Sequence, residues 1–388
     1  MTSSYHLGGE CSDECKKYSL NVPKLRFKGY NEEWKQNKLG NLFEIKAGGD
    51  IDNKKLSKNK NEQYKYPVYA NALQNNGLYG YSDIYKISGE TITVTGRGDV
   101  GHAIARKENY YPIVRLLILK PIVKQDVDFW ANAINNTRIF VESTGVPQLT
   151  APQLAKIKIY YPSLPEQEKI AAFLTLIDKK IEKQKELVEL LKKYKRGLLS
   201  QIFSQKLRFK DDNGNNYPNW EEKYIQDVCS ITTGKGNTQD KEENGVYPFY
   251  VRSPIIEKSN KYIFDGEAVL TVGDGVGTGK VFHYVNGKFN FHQRVYKMSN
   301  FSGINGRYFY YYFSTHFYDR VKRMTAKTSV DSVRMDMIAK MPIFIPTNAE
   351  QDKIINLLTN VENIFLKNEN LLLLLQEYKK GLLQQMFI

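Results

Sequence analysis

A glycine-rich loop, Gly96-Arg97-Gly98-Asp99-Val100-Gly101, satisfies the G-x-G-x-x-G spacing of dinucleotide-binding sites. In such a site the third glycine opens a helix whose N-terminus holds the pyrophosphate. Here Gly101 is followed by an alternating segment and then by the strand-like run 110–119, with no helical period. The pattern therefore predicts a β-hairpin tip and argues against nucleotide binding.

A second glycine-rich loop, Gly273–Lys280, occupies the corresponding place in the second half of the chain. It also lies between two strand-like segments, 268–272 and 281–285. It fits neither the dinucleotide pattern nor a P-loop, since Asp274 stands where the first glycine of a P-loop belongs. Two such loops without consistent cofactor spacing indicate paired hairpin tips.

The residues near these loops match the chemistry of DNA recognition. Arginine pairs bidentately with guanine, asparagine and glutamine pair with adenine, and lysine suits phosphate. The net charge of +14 and the pI of about 9.3 favour a polyanionic partner. For any one of these residues, a plain surface or turn role is the alternative. The candidate DNA-binding residues are Arg97, His102, Arg106, Asn71, Gln74 and Asn75, followed by Arg252, Ser253, Lys258, Lys280, His283 and Arg294.

The residue pattern argues against catalysis and against a metal site. The pair Cys11 and Cys15 near His6 has no second pair to complete a metal site, and the five histidines are scattered. There is no N-P-P-Y-type methyltransferase loop and no nuclease carboxylate–lysine core. We therefore expect a non-catalytic chain without a cofactor of its own. Three cysteines suit a reducing cytoplasm, and no apolar run reaches the ~20 residues of a membrane span.

The chain repeats itself internally. Residues 166–203 align with residues 350–387 without a gap, and 17 of the 38 positions are identical. The sequence KLRFK occurs at 24–28 and again at 206–210, and each copy precedes a tryptophan, Trp34 or Trp220. This pattern indicates a tandem duplication in which a variable domain is followed by a matched helix.

Each matched segment predicts a long helix with a heptad seam. Apolar residues recur in alternating steps of four and three, except at Gln184 and at the equivalent Asn368. We expect the two helices to pair antiparallel about a pseudo-twofold axis, with these two amides facing each other. The alternative is that each helix folds onto its own domain. The predicted helix-interface residues are Ile177, Ile181, Gln184, Val188, Leu191, Val361, Phe365, Asn368, Leu372 and Leu375.

A second apolar stripe runs along each helix beside this seam, and in the second helix the leucine run that carries it includes the seam residues Leu372 and Leu375. It comprises Leu187, Leu190 and Tyr194 in the first helix and is stronger at Leu371–Leu375 in the second. Because this stripe leaves apolar surface beyond the helix pair, we expect a further protein partner to cover it.

Taken together, these motifs resemble the specificity subunit of type I restriction–modification systems over residues 21–388. The segments P-S-L-P-E-Q-E-K-I at 162–170 and P-T-N-A-E-Q-D-K-I at 346–354 carry the resemblance. Each leads into a helix that closes in Y-K-[RK]-G-L-L-x-Q-x-F. The repeated KLRF entries and the glycine-rich hairpins belong to the same pattern.

The resemblance implies an α+β fold with two mixed α/β target-recognition domains, separated by two long antiparallel helices that form a coiled coil. Each domain would read one half of a bipartite site in double-stranded DNA. The helices would set the spacing and dock two methyltransferase subunits, through which motor–nuclease subunits join. S-adenosylmethionine, ATP and Mg are expected on those partners. The alternatives are a stand-alone DNA-modifying enzyme and a protein-only scaffold.

The expected domain boundaries follow from the repeat and the resemblance. They are an N-terminal extension, expected to be flexible, at 1–20, recognition domain 1 at 21–161, a central spacer helix at 162–204, recognition domain 2 at 205–346, and a C-terminal spacer helix at 347–388.

Overall fold

The computed structural model describes residues 21–139, 147–275, 277–324 and 332–388, which form two compact units. Unit 1 contains the described residues up to Lys185 together with Leu371–Ile388, and unit 2 is Glu186–Asn370. Each unit therefore takes part of both long helices, whereas the boundaries expected from the sequence separate domains from helices; those boundaries stay a prediction. The expected extension at 1–20 lies outside the described residues.

Unit 1 contains a main core and a smaller buried cluster formed by Tyr69, Tyr110 and Leu116. The main core centres on Phe129 and Trp130, which are both fully buried. Up to the first long helix, the elements are β1 (Lys35–Lys38), α1 (Leu39–Leu42), β2 (Phe43–Ala47), β3 (Leu56–Ser57), β4 (Tyr66–Tyr69), β5 (Leu78–Ser82), β6 (Thr91–Val94), β7 (Ala103–Arg106), β8 (Tyr111–Pro112), β9 (Leu117–Pro121), α2 (Val127–Asn136), α3 (Ala151–Ala155) and β10 (Lys158–Tyr161).

The first long helix, α4 (Leu164–Phe203), begins in unit 1 and ends in unit 2. The elements that follow it are β11 (Glu221–Tyr224), α5 (Ile225–Val228), β12 (Ser230–Thr233), β13 (Tyr247–Tyr250), β14 (Ile256–Ser259), β15 (Phe264–Val272), β16 (Phe282–Phe291), β17 (Val295–Ser299), α6 (Gly306–Met324), α7 (Met335–Ala339), β18 (Pro342–Ile345) and the second long helix α8 (Asn348–Met386).

The strand order is equivalent in the two units. In unit 1 the orders are β2-β9-β6-β7 and β3-β5-β4-β8, and in unit 2 a single sheet runs β12-β17-β15-β16-β13-β14. The single long strand β16 spans the place where unit 1 has two short strands, β7 and β8, and this joins the two sheets into one. In each unit a further antiparallel pair, β1 with β10 or β11 with β18, leads into the long helix.

The repeated Glu-Gln at the start of each long helix fastens that helix to its domain. The Glu166 carboxylate is 1% exposed and accepts two hydrogen bonds of 2.7 Å from Arg26, the arginine of the first KLRFK copy. The Gln167 side chain accepts from the Trp130 indole at 3.2 Å and donates to the Pro162 carbonyl at 3.0 Å. A buried charge is tolerated only when it is paired and hydrogen-bonded, so these contacts explain why the motif keeps both residues.

Unit 2 repeats this junction at its own helix start. Glu350, which is fully buried, accepts from Arg208 Nε at 2.8 Å, from Arg208 Nη2 at 2.9 Å and from Trp220 Nε1 at 3.1 Å. The Gln351 side chain accepts from the backbone of Asn305 at 2.8 Å. In unit 2 the KLRF arginine, Trp220 and the Glu-Gln pair therefore form one buried junction, whereas in unit 1 the indole comes from Trp130 and donates to the glutamine.

The two long helices run antiparallel beside each other within each unit. In unit 1 the start of α4 shares a core with the end of α8, and the Lys379 ammonium lies 2.5 Å from the Asp178 carboxylate. In unit 2 the end of α4 shares a core with the start of α8, and Lys195 pairs with Glu362 at 2.6 Å.

The predicted seam residues are all buried or half-buried, and none is fully exposed. Asn368 donates its side-chain amide to the Ile364 carbonyl of its own helix at 2.7 Å. The coiled-coil geometry and the facing of Gln184 with Asn368 stay predictions. Ile181, Val188 and Val361 are buried, and the half-buried members are Ile177, Gln184, Leu191, Phe365, Asn368, Leu372 and Leu375.

In the part of the chain that the structure describes, no helix is long and apolar enough to cross a membrane.

Candidate nucleic-acid interface

The first glycine-rich loop is the tip of the antiparallel hairpin formed by β6 and β7. The Gly101 amide donates to the Thr95 carbonyl at 2.8 Å, and the His102 amide donates to the Thr95 hydroxyl at 2.9 Å. Strand β7 begins at Ala103, where a dinucleotide-binding loop would open a helix. The prediction of a hairpin tip is confirmed.

Three chain segments meet at Gly96. A Cβ atom on Gly96 would lie 2.8 Å from the Arg115 carbonyl and 2.9 Å from the Leu149 carbonyl, so only glycine fits here. Asn71 holds the tip from a third side, because its amide donates to the Arg97 carbonyl and accepts from the Gly96 amide, both at 2.8 Å. We call the group Asn71, Gly96, Arg97, Arg115 and Gln148 the first corner.

The first corner presents two exposed arginines, Arg97 and Arg115. The Arg115 Nη1 atom donates to the Gln148 side-chain oxygen at 3.1 Å. Val114 and Arg115 have φ angles of +33° and +60°, a left-handed backbone that costs free energy for residues other than glycine. Sequence reasoning missed Arg115, although aligning it with Arg294 through the internal repeat would have found it.

Two further predicted amides lie beside the first corner. Gln74 and Asn75 are exposed in a short turn that follows Asn71, and Asn75 has a left-handed φ of +49°. The side chain of Asn71 is occupied in holding the corner, so Gln74 and Asn75, together with the neighbouring Asn76, are the exposed amides of this turn.

His102 is exposed where the chain leaves the corner. Partial burial of its ring, and then the nearby Arg106 charge, lower the pKa of His102. Its imidazole is therefore neutral at pH 7 and offers a hydrogen bond rather than a positive charge.

The structure gives Arg106 a role different from the predicted DNA contact. This residue is only 5% exposed, and its guanidinium stacks 3.5 Å from the centre of the Tyr69 ring. It donates to the Thr93 hydroxyl at 3.0 Å and to the Asn76 carbonyl at 2.6 Å. Arg106 therefore holds the turn that contains Gln74 and Asn75 onto the sheet. The alternating sequence pattern of strand β7 did not show whether the Arg106 side chain points into the domain or toward solvent.

The second glycine-rich loop joins β15 to β16 and forms an equivalent corner. A Cβ atom on Gly273 would lie 2.9 Å from the Arg294 carbonyl, and the Val333 amide donates to the Gly273 carbonyl at 2.7 Å. Asp274 pairs through its backbone with Ser332, as Arg97 does with Gln148. We call the group Arg252, Gly273, Asp274, Arg294 and Ser332 the second corner.

Backbone hydrogen bonds around the two corners match one to one, which makes Arg115 equivalent to Arg294 and Asn71 equivalent to Arg252. The matching bonds are Ile113 N to Tyr69 O (2.9 Å) with His292 N to Tyr250 O (2.9 Å), Gly48 N to Leu116 O (2.7 Å) with Gly234 N to Val295 O (3.3 Å), and Leu149 N to Gly96 O (2.8 Å) with Val333 N to Gly273 O (2.7 Å).

The second corner contains an ion cluster. Arg252 Nη1 lies 3.5 Å from one oxygen of Asp274, and Arg294 Nε lies 3.5 Å from the other. The arginine side chains are 49% and 64% exposed, and the aspartate side chain is 27% exposed. Both predicted arginines therefore come together at this corner, next to a carboxylate that sequence reasoning did not assign.

The remaining predicted residues of unit 2 are spread over its surface and interior. Lys280 is exposed, with its ammonium 5.2 Å from the centre of the Tyr318 ring. The Ser253 hydroxyl is occupied within its own turn, where it accepts from the Ile255 amide at 3.2 Å. Lys258 is exposed on β14 opposite Pro248.

His283 faces inward instead of toward a ligand at the surface. Its ring lies 4.8 Å from the Tyr250 ring, and its Nε2 atom is buried without a hydrogen-bond partner among the described residues. Burial lowers the pKa of His283, so the ring is neutral at pH 7. Its predicted DNA contact does not fit this position.

Comparison with known proteins shows the origin of the repeated architecture. Residues 31–192 and 217–376 each match the family described as the type I restriction modification DNA specificity domain. The two matches together span most of the chain and coincide with the two copies of the internal repeat.

The curated relatives carry the same designation. A type I specificity subunit of Mycoplasma pneumoniae is 33% identical over 144 residues, which are 37% of this chain and 39% of that relative. The specificity subunit of the type I restriction enzyme EcoDI of Escherichia coli is 24% identical over 171 residues, covering 42% of this chain and 37% of that subunit. The chain thus matches well under half the length of each.

Solved structures agree on the fold. The crystal structure of a type I restriction–modification S subunit from M. genitalium has a TM-score of 0.70 at 16% identity, covering 95% of this chain and 99% of that chain. A chain from a study of complex assembly and conformational transition of the type I R-M system has a TM-score of 0.54 at 13% identity, covering 92% and 98%. With two matched domains and this fold, the chain belongs to the type I restriction–modification DNA specificity family.

Proposed function

We propose that this chain is the sequence-reading subunit of a type I restriction–modification complex, and that each unit reads one half of a bipartite DNA target through its corner. The observation that carries the proposal is the pair of equivalent corners. Each is a glycine-built junction of three chain segments, and each presents exposed arginines within a specificity domain of this family.

The chemistry of the two corners suits base recognition in the major groove. Arg97 and Arg115 in the first corner can each pair bidentately with guanine, and exposed Gln74 and Asn75 offer the amides that pair with adenine. Arg252 and Arg294 supply the guanidinium groups of the second corner. Because the corners differ in side chains on a matching backbone, the two half-sites are expected to differ in sequence.

The overall charge supports a nucleic-acid partner. A net charge of +14 gives attraction to phosphates that is independent of sequence and weakens with salt. Exposed Lys280 and Lys258 are suited to this role, because lysine contacts phosphate as a point charge. These contacts would position the duplex while the corners distinguish its bases.

Two equivalent apolar stripes support docking of two identical partner subunits. In unit 2 the side chains of Leu187, Leu190 and Tyr194 are 40%, 63% and 54% exposed. In unit 1 the stripe formed by Leu371, Leu374 and Tyr378 is 41%, 61% and 57% exposed. A spacing of three and four residues puts each triad on one helix face. We assign these stripes to two methyltransferase subunits, through which motor–nuclease subunits would join.

Catalysis is assigned to those partners. S-adenosylmethionine would bind the methyltransferase subunits, and ATP and Mg would act on the motor–nuclease subunits. This chain would supply recognition, spacing and docking.

A competition binding experiment tests the reading function. The chain is co-expressed with its methyltransferase subunit, and the complex is incubated with a library of duplexes that are random at every position. We expect selection to recover a motif with two short defined blocks around an undefined spacer. Binding that depends on salt but enriches no motif would contradict the proposal and favour a protein-only scaffold.

A stoichiometry measurement tests the docking stripes. The double substitution Leu187→Asp with Leu190→Asp should reduce the bound methyltransferase subunits from two to one by native mass. The equivalent pair Leu371→Asp with Leu374→Asp should do the same, and all four together should leave none. Lys192→Asp, at an exposed position outside both the stripe and the seam, is the matched control. Retention of two subunits by the fourfold variant would refute the assignment.

A further inference from the structure

The two corners hold their equivalent arginines by different means. In the first corner the neutral side chain of Gln148 accepts from Arg115 at 3.1 Å. In the second corner the charged Asp274 lies 3.5 Å from both Arg294 and Arg252. The same backbone position therefore carries an arginine in both units, hydrogen-bonded to a neutral amide in the first corner and ion-paired with a carboxylate in the second.

A carboxylate at this place opposes the general attraction of the chain for DNA. Each acidic group near a phosphate backbone weakens binding to every sequence, because it cancels one of the positive charges that displace counterions. Asp274 is also not needed to form the loop, which is fixed by backbone bonds from Gly273 to Arg294 and from Val333 to Gly273. Arg252 and Arg294 are 49% and 64% exposed, and ion pairs with such exposed arginines contribute little to folding stability. Stability therefore does not explain the presence of Asp274.

Orientation of the arginines does explain it. A free arginine side chain samples many rotamers, and a bidentate contact to guanine requires one orientation of the guanidinium plane. The Asp274 carboxylate lies 3.5 Å from Nε of Arg294 and 3.5 Å from Nη1 of Arg252, which leaves the other donors of each guanidinium available. Within the described residues the Oδ1 atom is buried and accepts no hydrogen bond, from the backbone or from Arg252, so the attraction between Asp274 and Arg252 is an ion pair at 3.5 Å.

We propose that Asp274 is a positioning residue that orients Arg252 and Arg294 for base recognition, trading general DNA affinity for discrimination. Gln148 performs the same task for Arg115 without the electrostatic cost. This inference rests on the proposed reading function and assigns the specificity of each half-site to an arginine together with its acceptor.

The proposal predicts opposite changes in affinity and specificity. In the co-expressed complex, Asp274→Asn should raise affinity for a random duplex about two- to fivefold at low salt, because one negative charge is removed. It should reduce discrimination at one or two positions of the second half-site by about tenfold and leave the first half-site unchanged. Gln148→Leu should relax the first half-site alone, without changing affinity for the random duplex.

The experiment measures dissociation constants for the selected target, for duplexes with single substitutions in either half-site, and for a random duplex. Asp265→Asn is the matched control, since it removes the same charge from an exposed position near the start of β15. That variant should keep full discrimination. Asp274→Glu, which retains the charge on a longer side chain, should discriminate between duplexes better than Asp274→Asn and less well than the unchanged complex.

The outcomes separate this inference from the proposed function. If the unchanged complex shows no discrimination between duplexes, the reading function itself fails. If the unchanged complex discriminates and Asp274→Asn discriminates equally well, the positioning role is overturned while the reading function stands. Equal loss in both half-sites would also overturn it, because it would indicate general damage to the complex.

Discussion

Glu350→Gln tests the buried junction that fastens the second recognition domain to its helix. The carboxylate of Glu350 is fully buried and accepts three hydrogen bonds, two from Arg208 and one from Trp220. A glutamine keeps the shape but removes the charge, and it turns an NH₂ group toward a donor. Breaking a buried pair by changing one partner costs about 3–5 kcal/mol.

The structure favours the lower end of that range. The Arg208 side chain is 23% exposed and still donates to the Pro218 carbonyl at 2.7 Å, so its charge keeps some solvation and one good partner. A loss of about 3 kcal/mol corresponds to a little over a hundredfold in the unfolding equilibrium.

Hydrogen–deuterium exchange with mass spectrometry measures this change in each unit separately. Peptides from the buried strands of unit 2 should exchange about a hundredfold faster in Glu350→Gln, while those from β6 and β9 of unit 1 should not change. The control is Glu182→Gln, which removes an exposed partner 3.7 Å from Lys185 and should cost at most about 0.5 kcal/mol. Exchange within twofold of the unchanged chain would refute the junction as a stabilising element.

Three further predictions follow from buried groups. Arg106→Ala should lower the free energy of unfolding of unit 1 by about 1–3 kcal/mol in urea, because it removes two hydrogen bonds and a ring contact. Unchanged stability together with lost base discrimination would instead support a direct DNA contact by Arg106. Burial lowers the pKa of His283, His292 and His316 in the folded chain. Below a pH of about 6.5 these histidines are therefore protonated more in the unfolded chain than in the folded chain, which favours unfolding. Unit 2 should therefore lose stability between pH 6.5 and 5, measured as exchange corrected for intrinsic rates, and equal protection at both values would contradict this. Burial raises the pKa of the Cys229 thiol to about 12. Iodoacetamide at pH 8 should therefore leave Cys229 unmodified in the folded chain and modify it in urea. Rapid modification of the folded chain would show that the thiol is accessible.

The internal repeat made much of the architecture predictable. The 17 matched positions between 166–203 and 350–387 predicted two long helices, which run from Leu164 to Phe203 and from Asn348 to Met386. The absence of a helical period after Gly101 predicted the hairpin. Both features depend on the spacing of apolar and glycine residues within a short segment, which can be seen in a single sequence.

Side-chain direction and long-range anchoring could not be predicted in this way. Arg106 and His283 lie on strands whose faces are partly buried, and alternation does not tell which face the domain covers. Arg115 reaches the first corner only because the backbones at 96, 115 and 149 converge. The pairing of Arg208 with Glu350 spans 142 residues, so the shared purpose of the KLRF and Glu-Gln motifs appears only in the folded chain.

Replacing one recognition domain tests the central claim most directly. Residues 206–346 are exchanged for the corresponding segment of another family member, and modified bases are mapped across the genome of cells that express the complete complex. We predict that one half of the methylated motif changes while the other half stays the same, because each unit reads its own half-site. A change in both halves, or an unchanged motif, would contradict independent reading by the two units.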